Sequence, residues 1–263
     1  MKFKDKVVWI TGASSGIGEM LAYSFRREGA KLILSSRHAE ALERVRQNCH
    51  HANSDIVVLP LDLADLESLP QKAEQALATF GRIDILVNNG GIGQYARAVE
   101  TSLSVDETLM RINYFGQVAL TKAVLPAMLK RKVGHIVVVS SVVGKIGAPM
   151  RSAYAASKHA LHGFFDSLRA EIWREQIKIT IVCPGYVRTN LRVNALGGDG
   201  TPRGKLAVAY TDAVSAEACA TEIVRAVLKR KEEVYIGRQR FAVYADRFFP
   251  GLVSQALRRI QNI

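Results

Sequence analysis

Cysteine is scarce in this sequence, and its three cysteines carry no pairing signal. Cys49, Cys183 and Cys219 are odd in number, far apart and outside any CxxC spacing. This pattern argues against a disulfide framework and against a zinc site. We therefore expect a protein of a reducing compartment, and we predict the cytoplasm.

Long apolar runs, low-complexity blocks and internal repeats are also missing. No stretch approaches about eighteen consecutive apolar residues, so no transmembrane helix is predicted. Residues 1–6 run directly into an apolar strand pattern, with no signal-peptide core and no cleavage site. A chain of 263 residues can bury one large core. We predict a single domain over residues 1–263.

Acidic residues are outnumbered by basic ones, which gives a formal net charge of +12. Such a surface attracts anions such as phosphorylated cofactors, acidic partner proteins or membrane headgroups. A nucleic-acid role has only this charge in its favour, because the basic residues are scattered and no recognised reading motif accompanies them. We predict no nucleic-acid partner.

Continuous apolar runs alternate with amphipathic helical patterns along the whole chain. Runs of Val, Ile and Leu without polar alternation are typical of parallel strands that are covered on both faces. The pattern predicts an α/β, Rossmann-type doubly wound fold with a seven-stranded, mainly parallel sheet and helices on both faces. The strand patterns cover residues 7–10, 31–37, 56–60, 84–87, 135–139, 177–182 and 234–237, and one long helical region covers about 105–130.

The first strand is followed at once by Thr11-Gly12-Ala13-Ser14-Ser15-Gly16-Ile17-Gly18 and a helix. Gly12 permits the tight turn, Gly16 lets the backbone approach a pyrophosphate, and Gly18 lets helix and strand pack closely. The start of the helix presents free N–H groups to phosphates. This arrangement favours a dinucleotide site, although a glycine cluster alone is also compatible with a flexible loop.

The second strand ends at Ser36 and Arg37, where a dinucleotide fold places the adenosine ribose. An acidic residue at this place usually binds the 2′-hydroxyl of NAD, whereas an Arg accommodates the 2′-phosphate of NADP. The sequence therefore predicts NADP(H). The alternative is that Arg37 is a solvated residue at a helix start.

Other strands also deliver polar residues and glycines at their carboxyl ends, where open α/β sheets place their sites. A proline and a glycine there leave room for a ligand, and a threonine supplies a hydroxyl. The Asn and Gly residues are equally compatible with a plain turn. These candidate residues are Asp62, Leu63, Asn89, Gly90, Gly91, Ser141, Pro184, Gly185, Val187 and Thr189.

Tyr154 and Lys158 are four residues apart in a predicted helix and therefore share a face. A nearby cation lowers the pKa of a phenol, so Tyr154 could exchange a proton near neutral pH. Such a pair is also common between surface neighbours. Asn113 is a polar residue within an apolar helical stretch, which requires either a catalytic role or a structural hydrogen bond.

Together these residues resemble the short-chain dehydrogenases/reductases from about residue 5 to 236. Within that family the closest likeness is to the subgroup that contains dehydrogenase/reductase member 7B and the 11β-hydroxysteroid dehydrogenases. One departure is Gly90, where the family usually has alanine, and we expect it to loosen the loop slightly. The matching motifs are Thr11-Gly12-x-x-x-Gly16-x-Gly18, Asn88-Asn89-x-Gly91, Asn113, Ser141, Tyr154-x-x-x-Lys158 and Pro184-Gly185-x-Val187-x-Thr189.

The resemblance implies roles for four catalytic residues. Tyr154 is the general acid/base, Ser141 orients the substrate oxygen, and Lys158 binds the nicotinamide ribose while lowering the pKa of Tyr154. Asn113 holds a water that relays protons through Lys158. The family also commonly pairs its long helices in homodimers or homotetramers, and its reaction needs no metal. His159 and His162 stand three apart, but no third ligand lies near them in sequence, so we predict no metal site.

Two segments bear on the substrate. Residues 190–211 are rich in glycine and polar residues, which favours a substrate lid. The tail, residues 238–263, is basic and amphipathic. It could cap the pocket, contact a partner subunit or lie on a membrane surface. An apolar pocket shaped by the lid, the tail, Val142, Val143, Met150 and Tyr186 predicts a hydrophobic, steroid-like or lipid-like substrate.

The function predicted from the sequence is therefore NADP(H)-dependent interconversion of a carbonyl and a secondary alcohol. A 3-oxoacyl-carrier-protein reductase is the rival enzyme, since an acidic carrier would suit the positive charge. A non-catalytic NADP-binding sensor or scaffold is the alternative outside enzymes, although it need not keep all four catalytic residues.

Overall fold

Nine strands and nine α-helices are described in a computed structural model that covers residues 1–49, 55–204 and 212–259. The strands are β1 Val7–Thr11, β2 Lys31–Ser35, β3 Ile56–Val58, β4 Ile85–Asn88, β5 Gly134–Val139, β6 Ile177–Pro184, β7 Val187–Arg188, β8 Val214–Ser215 and β9 Glu233–Ile236. The helices are α1 Gly16–Arg27, α2 Ala39–Asn48, α3 Leu69–Phe80, α4 Leu103–Met110, α5 Gly116–Arg131, α6 Ser152–Glu171, α7 Ala216–Leu228, α8 Arg240–Phe248 and α9 Pro250–Arg259.

Seven strands form the main sheet in the order β3-β2-β1-β4-β5-β6-β9, and all six pairings are parallel. This confirms the predicted seven-stranded Rossmann-type sheet. The chain leaves β3 at one edge and returns beside β1 as β4. Connections therefore diverge between β1 and β4, and such a switch point opens a crevice at the carboxyl ends of the strands.

Two apolar layers cover the sheet because successive side chains of a strand point to opposite faces. Val8 and Ile10 of β1 belong to a cluster that includes Phe25 of α1. Val7 and Trp9 belong to the opposite cluster, which includes Phe165 of α6. This double burial is why residues 7–10 of β1 are all apolar and were recognisable as a parallel strand.

The long helical region predicted over about 105–130 is not one continuous α-helix. A π-helical turn, Arg111–Phe115, separates α4 from α5. Turns of this kind occur mostly inside α-helices and often at functional sites. The buried Asn113 lies within it.

The amino end of the sheet is closed by polar groups that bind the buried Asp84. The Asp84 carboxylate accepts hydrogen bonds from the Val7 amide at 2.9 Å, Arg131 at 2.7 Å and Arg82 at 3.0 Å. Burial opposes the charge of Asp84, but these three donors outweigh it and lower the pKa of the carboxyl.

The segment that follows β7 is docked rather than free along its described length, residues 190–204. Leu196 forms bridges with both Gln94 and Pro202. Its amide also donates to the Gly93 carbonyl at 2.9 Å, and its carbonyl accepts from the Tyr95 amide at 2.9 Å. The remainder of the predicted lid, residues 205–211, and the last residues of the tail, 260–263, lie outside the described residues.

Candidate active site

One large cavity of about 870 Å³ opens at the carboxyl ends of the strands. Nearly all residues predicted for cofactor binding and catalysis line it, and the exceptions are Gly18 and Asn113. The structure thus brings together Gly12, Ser14, Ser15, Gly16, Ile17, Ser36, Arg37, Asp62, Leu63, Asn89, Gly90, Gly91, Ser141, Tyr154, Lys158, Pro184, Gly185, Val187 and Thr189.

The glycine-rich turn between β1 and α1 has the backbone geometry that its sequence predicted. Gly12 and Gly16 have φ angles of +64° and +59°, which side chains rarely permit. A Cβ on Gly18 would lie 2.2 Å from the Gly12 carbonyl oxygen. Gly18 therefore lies beneath the turn and lets α1 pack against it, as expected, without lining the cavity itself.

Hydrogen bonds tie this turn to the loop after β4. The Thr11 hydroxyl accepts from the amides of Asn89 and Gly90, both at 3.0 Å. The Asn89 side chain donates to the Thr11 carbonyl at 3.0 Å and to the Gly12 carbonyl at 3.2 Å. The two walls of the crevice are therefore fixed relative to each other before any ligand binds.

Gly90, the departure from the family pattern, does not leave a gap. A Cβ at this position would lie 2.7 Å from a methyl carbon of Leu63, so Leu63 fills the space that an alanine methyl would take. Gln117 also donates to the Gly90 carbonyl at 3.0 Å. The expected slight loosening of the loop stays a prediction.

The edge of the cavity beyond β2 is polar and cationic. Arg37 and His38 are exposed and line it. Ser36 accepts a hydrogen bond from the His38 amide at 3.2 Å, which orders the turn. No hydrogen bond or ion pair to another described residue holds the Arg37 guanidinium, so it is available to an anionic group in the cavity.

Tyr154 and Lys158 share one face of α6 at the other end of the cavity, and both are buried. The Lys158 ammonium lies 5.7 Å from the centre of the Tyr154 ring and donates to the Val139 carbonyl at 2.8 Å. The Ser141 hydroxyl, at the end of β5, hydrogen-bonds Tyr154. It also donates to the Pro184 carbonyl at 3.3 Å, which fixes its position between two strand ends.

The electrostatics of this pair differ from the expectation. Burial raises the pKa of Tyr154, and the groups that lower it are the Arg151 guanidinium and the Ser141 hydrogen bond. Arg151 lies 5.9 Å from the centre of the Tyr154 ring. Burial also lowers the pKa of Lys158 to about 8, because an ammonium loses hydration there. Arg151 was not predicted as a site residue, because nothing in its local pattern marks it.

A family model described as short chain dehydrogenase matches residues 6–197. The chain belongs to the short-chain dehydrogenase family. Members of this oxidoreductase family use a nicotinamide dinucleotide, act on small molecules and are typically oligomeric. The large cavity of this chain lies at the carboxyl ends of the strands, where Rossmann-type sheets bind their dinucleotides.

Close relatives of this short-chain dehydrogenase confirm the predicted subgroup. A dehydrogenase/reductase SDR family protein 7-like from Anopheles gambiae is 48% identical over 236 residues, which are 88% of this chain and 74% of the relative. Dehydrogenase/reductase SDR family member 7B from Bos taurus is 43% identical over 257 residues, 95% of this chain and 79% of the relative.

Solved short-chain dehydrogenase structures share the fold. An alcohol dehydrogenase from Thermococcus sibiricus, complexed with 5-hydroxy-NADP, superposes with a TM-score of 0.76 and 26% identity over 89% of this chain and 97% of that one. A short-chain dehydrogenase from Burkholderia phymatum, in complex with NAD, reaches a TM-score of 0.83 at 23% identity over 96% of each chain. The two cofactors differ, so the fold alone does not select between NAD and NADP.

Asn113 of this dehydrogenase makes a structural clamp. Its side chain accepts from the Ile92 amide at 2.8 Å and donates to the Ile92 carbonyl at 2.9 Å. It also donates to the Ser157 hydroxyl at 3.0 Å. Of the two explanations left open by the sequence, the hydrogen-bonding one is directly visible, and it joins the loop after β4 to α6.

The substrate end of the cavity includes residues that the sequence reasoning missed. Helix α4 contributes Ser104, Val105 and Thr108 to the lining. Ser104 and Thr108 are four residues apart and share one face of the helix, and this spacing was the only sign of this wall in the sequence. Val142, Val143 and Tyr186 line the cavity as expected, whereas Met150 does not. The missed residues at this end are Ser104, Val105, Thr108, Ile112 and Arg151. Seven further lining residues belong to the segment predicted as a substrate lid, namely Asn190, Leu191, Arg192, Asn194, Leu196, Gly200 and Pro202.

The tail is placed away from the large cavity. No residue of its described part, 238–259, lines that cavity. Helix α9 instead faces residues 145–149 across a smaller depression of about 320 Å³. Several large apolar side chains of α8, α9 and the residue between them are exposed, namely Phe241, Tyr244, Phe248, Phe249 and Leu252. Within the described residues, no helix is both long and apolar enough to cross a bilayer.

Proposed function

We propose that the protein is an NADP(H)-dependent oxidoreductase that interconverts a carbonyl and a secondary alcohol. The observation that carries the proposal is the convergence of Ser141, Tyr154 and Lys158 in a cavity that also contains the glycine-rich turn. Proton-handling groups and a dinucleotide cradle thus share one enclosed space. An NADP-binding scaffold would not require this arrangement.

The residues at the turn fit a dinucleotide. A Cβ on Gly12 would lie 2.7 Å from the Gly90 backbone, and one on Gly16 would lie 3.1 Å from Thr189. Only glycine leaves the backbone accessible at these two points. The first amides of α1 have no partners within the helix and would bind the pyrophosphate.

Cofactor preference follows from the end of β2. A 2′-phosphate at this place would meet the Arg37 guanidinium, with Ser36 and His38 beside it. Guanidinium and phosphate form strong paired hydrogen bonds. No acidic side chain follows β2 directly, since the chain continues Ser36, Arg37, His38. The proposed cofactor is therefore NADP(H) rather than NAD(H).

Tyr154 is the proposed general acid in carbonyl reduction. When bound, the nicotinamide supplies the hydride that reduces the carbonyl carbon. Tyr154 gives its phenolic proton to the carbonyl oxygen, while the Ser141 hydroxyl donates a hydrogen bond to the same oxygen. In alcohol oxidation Tyr154 takes the proton back. Arg151 eases formation of the phenolate, and Lys158 would bind the nicotinamide ribose through its ammonium.

The proposed substrate is hydrophobic and of steroid or lipid size. The walls near Tyr154 include Val105, Val142, Val143 and Leu196, and the cavity is large enough for both cofactor and substrate. Asn113 would support catalysis by holding the loop after β4 against α6. We also propose that Asn113 holds a water that relays protons through Lys158.

Further proposals concern assembly and location. We propose a homo-oligomer in which the exposed apolar face of α8 and α9 contacts a second copy. Binding of a monomer to anionic vesicles would assign that face to a membrane instead.

The proposed location is the cytoplasm. Cys49, Cys183 and Cys219 are free and buried, which suits a reducing compartment.

The proposed activity is tested by following nicotinamide absorbance with a panel of apolar ketones, with NADPH and NADH in parallel. Ketone-dependent oxidation of NADPH that exceeds that of NADH supports the proposal. A panel of 3-oxoacyl thioesters is the second arm, and turnover confined to that arm would favour the carrier-protein reductase. NADPH binding without turnover in either arm would contradict the proposed function.

A further inference from the structure

Behind the candidate active site, three side chains from three elements meet in a buried polar cluster: His162 of α6, Cys183 of β6 and Glu233 of β9. Their ligand atoms all lie within 4.8 Å of one another. None of the three lines the large cavity. The sequence analysis considered His162 and the cysteines separately and predicted no metal site, because the three members of this cluster are distant along the chain.

The imidazole of His162 has one ring nitrogen bound and one without a partner. Its Nε2 lies 3.0 Å from the Ser140 hydroxyl, which itself donates to the Lys158 carbonyl at 3.3 Å. The Cys183 sulfur lies 3.7 Å from the same Nε2. Nδ1 is buried and forms no hydrogen bond with any described residue, and the whole side chain is only 9% exposed.

The Nδ1 atom faces a carboxylate. Glu233 Oε1 lies 3.5 Å from Nδ1, and the Cys183 sulfur lies 3.7 Å from the same oxygen. A carboxylate that faces an imidazole nitrogen and a thiol in a partly buried space favours a cation or a proton among them. Imidazole nitrogen, carboxylate oxygen and thiolate sulfur are together a donor set that suits Zn²⁺.

We propose that His162, Cys183 and Glu233 form a binding site for one zinc ion. Tetrahedral zinc with bonds of about 2.0–2.2 Å to nitrogen and oxygen and about 2.3 Å to sulfur separates its ligands by about 3.4–3.6 Å. Two of the three ligand pairs, Nδ1–Oε1 at 3.5 Å and Sγ–Oε1 at 3.7 Å, are close to that geometry. Binding would release the thiol proton of Cys183 to solvent and leave the fourth position to water.

The surroundings of the cluster support this site. The bond from His162 Nε2 to Ser140 fixes the ring, as an outer partner of a metal-binding histidine usually does. Tyr235 donates to the second Glu233 oxygen at 3.0 Å and orients the carboxylate. Lys145 donates to Glu233 Oε1 at 2.8 Å and is the competing cation. Its side chain is 26% exposed, so its ammonium can turn outward when an ion binds.

The test uses the full-length, tag-free protein after chelator treatment. Equilibrium dialysis against Zn²⁺ is expected to give one ion per chain, and excess Zn²⁺ is expected to raise the Tm because the ion joins three elements. With Co²⁺ as the probe, tetrahedral visible bands and a thiolate-to-cobalt charge-transfer band are expected. Substoichiometric zinc, or a cobalt spectrum without the thiolate band, would overturn the proposal.

Variants identify the ligands. Cys183→Ser is expected to remove the charge-transfer band, whereas Cys219→Ser, at another buried free cysteine, is expected to keep it. Because Cys183 is fully buried, the half-buried Glu233 supplies a second variant whose folding is less at risk. Glu233→Gln is expected to weaken zinc at least about tenfold, and Lys145→Met is expected to strengthen it. Wild-type zinc affinity in folded Glu233→Gln would exclude the site. None of these readouts depends on the proposed enzymatic activity.

Discussion

The two ends of the same parallel sheet use polar residues in opposite ways. At the amino end, Asp84 has three donors within 3.0 Å, and every one of them comes from the protein. At the carboxyl end, Tyr154, Lys158 and Arg37 border a cavity of about 870 Å³. Polar groups at the first end bond one another, whereas those at the second end face a space that a ligand can enter.

This difference separates stability from function along one sheet. Substitutions at the amino end are expected to change the free energy of unfolding while leaving kinetic constants almost unchanged. Substitutions of side chains at the cavity are expected to change turnover or cofactor affinity with little change in stability. Substitutions in the glycine-rich turn are expected to change both cofactor affinity and stability, because its backbone faces the cavity and also packs against α1.

The largest effect is expected for Tyr154→Phe. Removal of the phenolic proton donor should lower kcat by about 10²- to 10⁴-fold while the Kd for NADPH stays nearly unchanged. Absorbance assays of NADPH oxidation measure kcat, and a fluorescence titration measures the Kd for NADPH. Tyr114→Phe, a tyrosine outside the cavity lining, is the matched control and should behave as the wild type. Wild-type turnover in Tyr154→Phe would remove this residue as the acid.

A second large effect is expected for Gly18→Ala, because its Cβ would lie 2.2 Å from the Gly12 carbonyl oxygen. The turn must shift, and we expect a loss of about 3 kcal/mol of stability together with weaker NADPH binding. Gly163 is also helical but has nothing within 4 Å of an added Cβ. Gly163→Ala should therefore gain about 0.5–1 kcal/mol. Equal behaviour of the two variants in thermal melts would contradict this packing argument.

At the amino end, Asp84→Asn should lower stability by about 2–3 kcal/mol at pH 7 with little change in kcat. Since the folded pKa of Asp84 is lowered, its contribution is present above the unfolded pKa of about 3.9 and is lost as pH falls through the folded pKa. Urea unfolding of both proteins should therefore show a gap that narrows below about pH 4. A gap that is independent of pH would refute the charge-based explanation.

A smaller and more selective effect is expected for Arg37→Asp. Loss of a charge-assisted phosphate contact of about 1.5–3 kcal/mol should weaken NADPH by roughly tenfold or more, while NADH binding is retained or improved. Lys122→Asp, an equal charge change at an exposed position of α5, is the control. An unchanged ratio of the two Kd values would mean that the 2′-phosphate site is elsewhere.

Local patterns predicted most of the fold and one half of the site. The strands were recognisable because double burial demands apolar residues at every position, and the turn because Gly12 and Gly16 need positive φ angles. The π-helical turn at Asn113 was not predicted, since it depends on clamping the Ile92 backbone.

The other half of the site depends on contacts between distant segments. Arg151 is an exception, since it stands only three residues before Tyr154; it was missed because it is the non-helical residue just before α6, where the helical spacing rule does not apply. The docking of residues 190–204 through Leu196 on the loop after β4 was likewise not readable from a glycine-rich stretch. Packing decides which side chains from different elements become neighbours, and packing cannot be read from a single sequence.

The most direct test of this account is a fluorescence titration of the purified wild-type protein with NADPH and with NADH. It needs no substrate and examines the turn and Arg37 together. The account predicts that NADPH binds at least about tenfold more tightly than NADH. Equal affinities would contradict the role of Arg37, and no binding of either cofactor would contradict the proposed function as a whole.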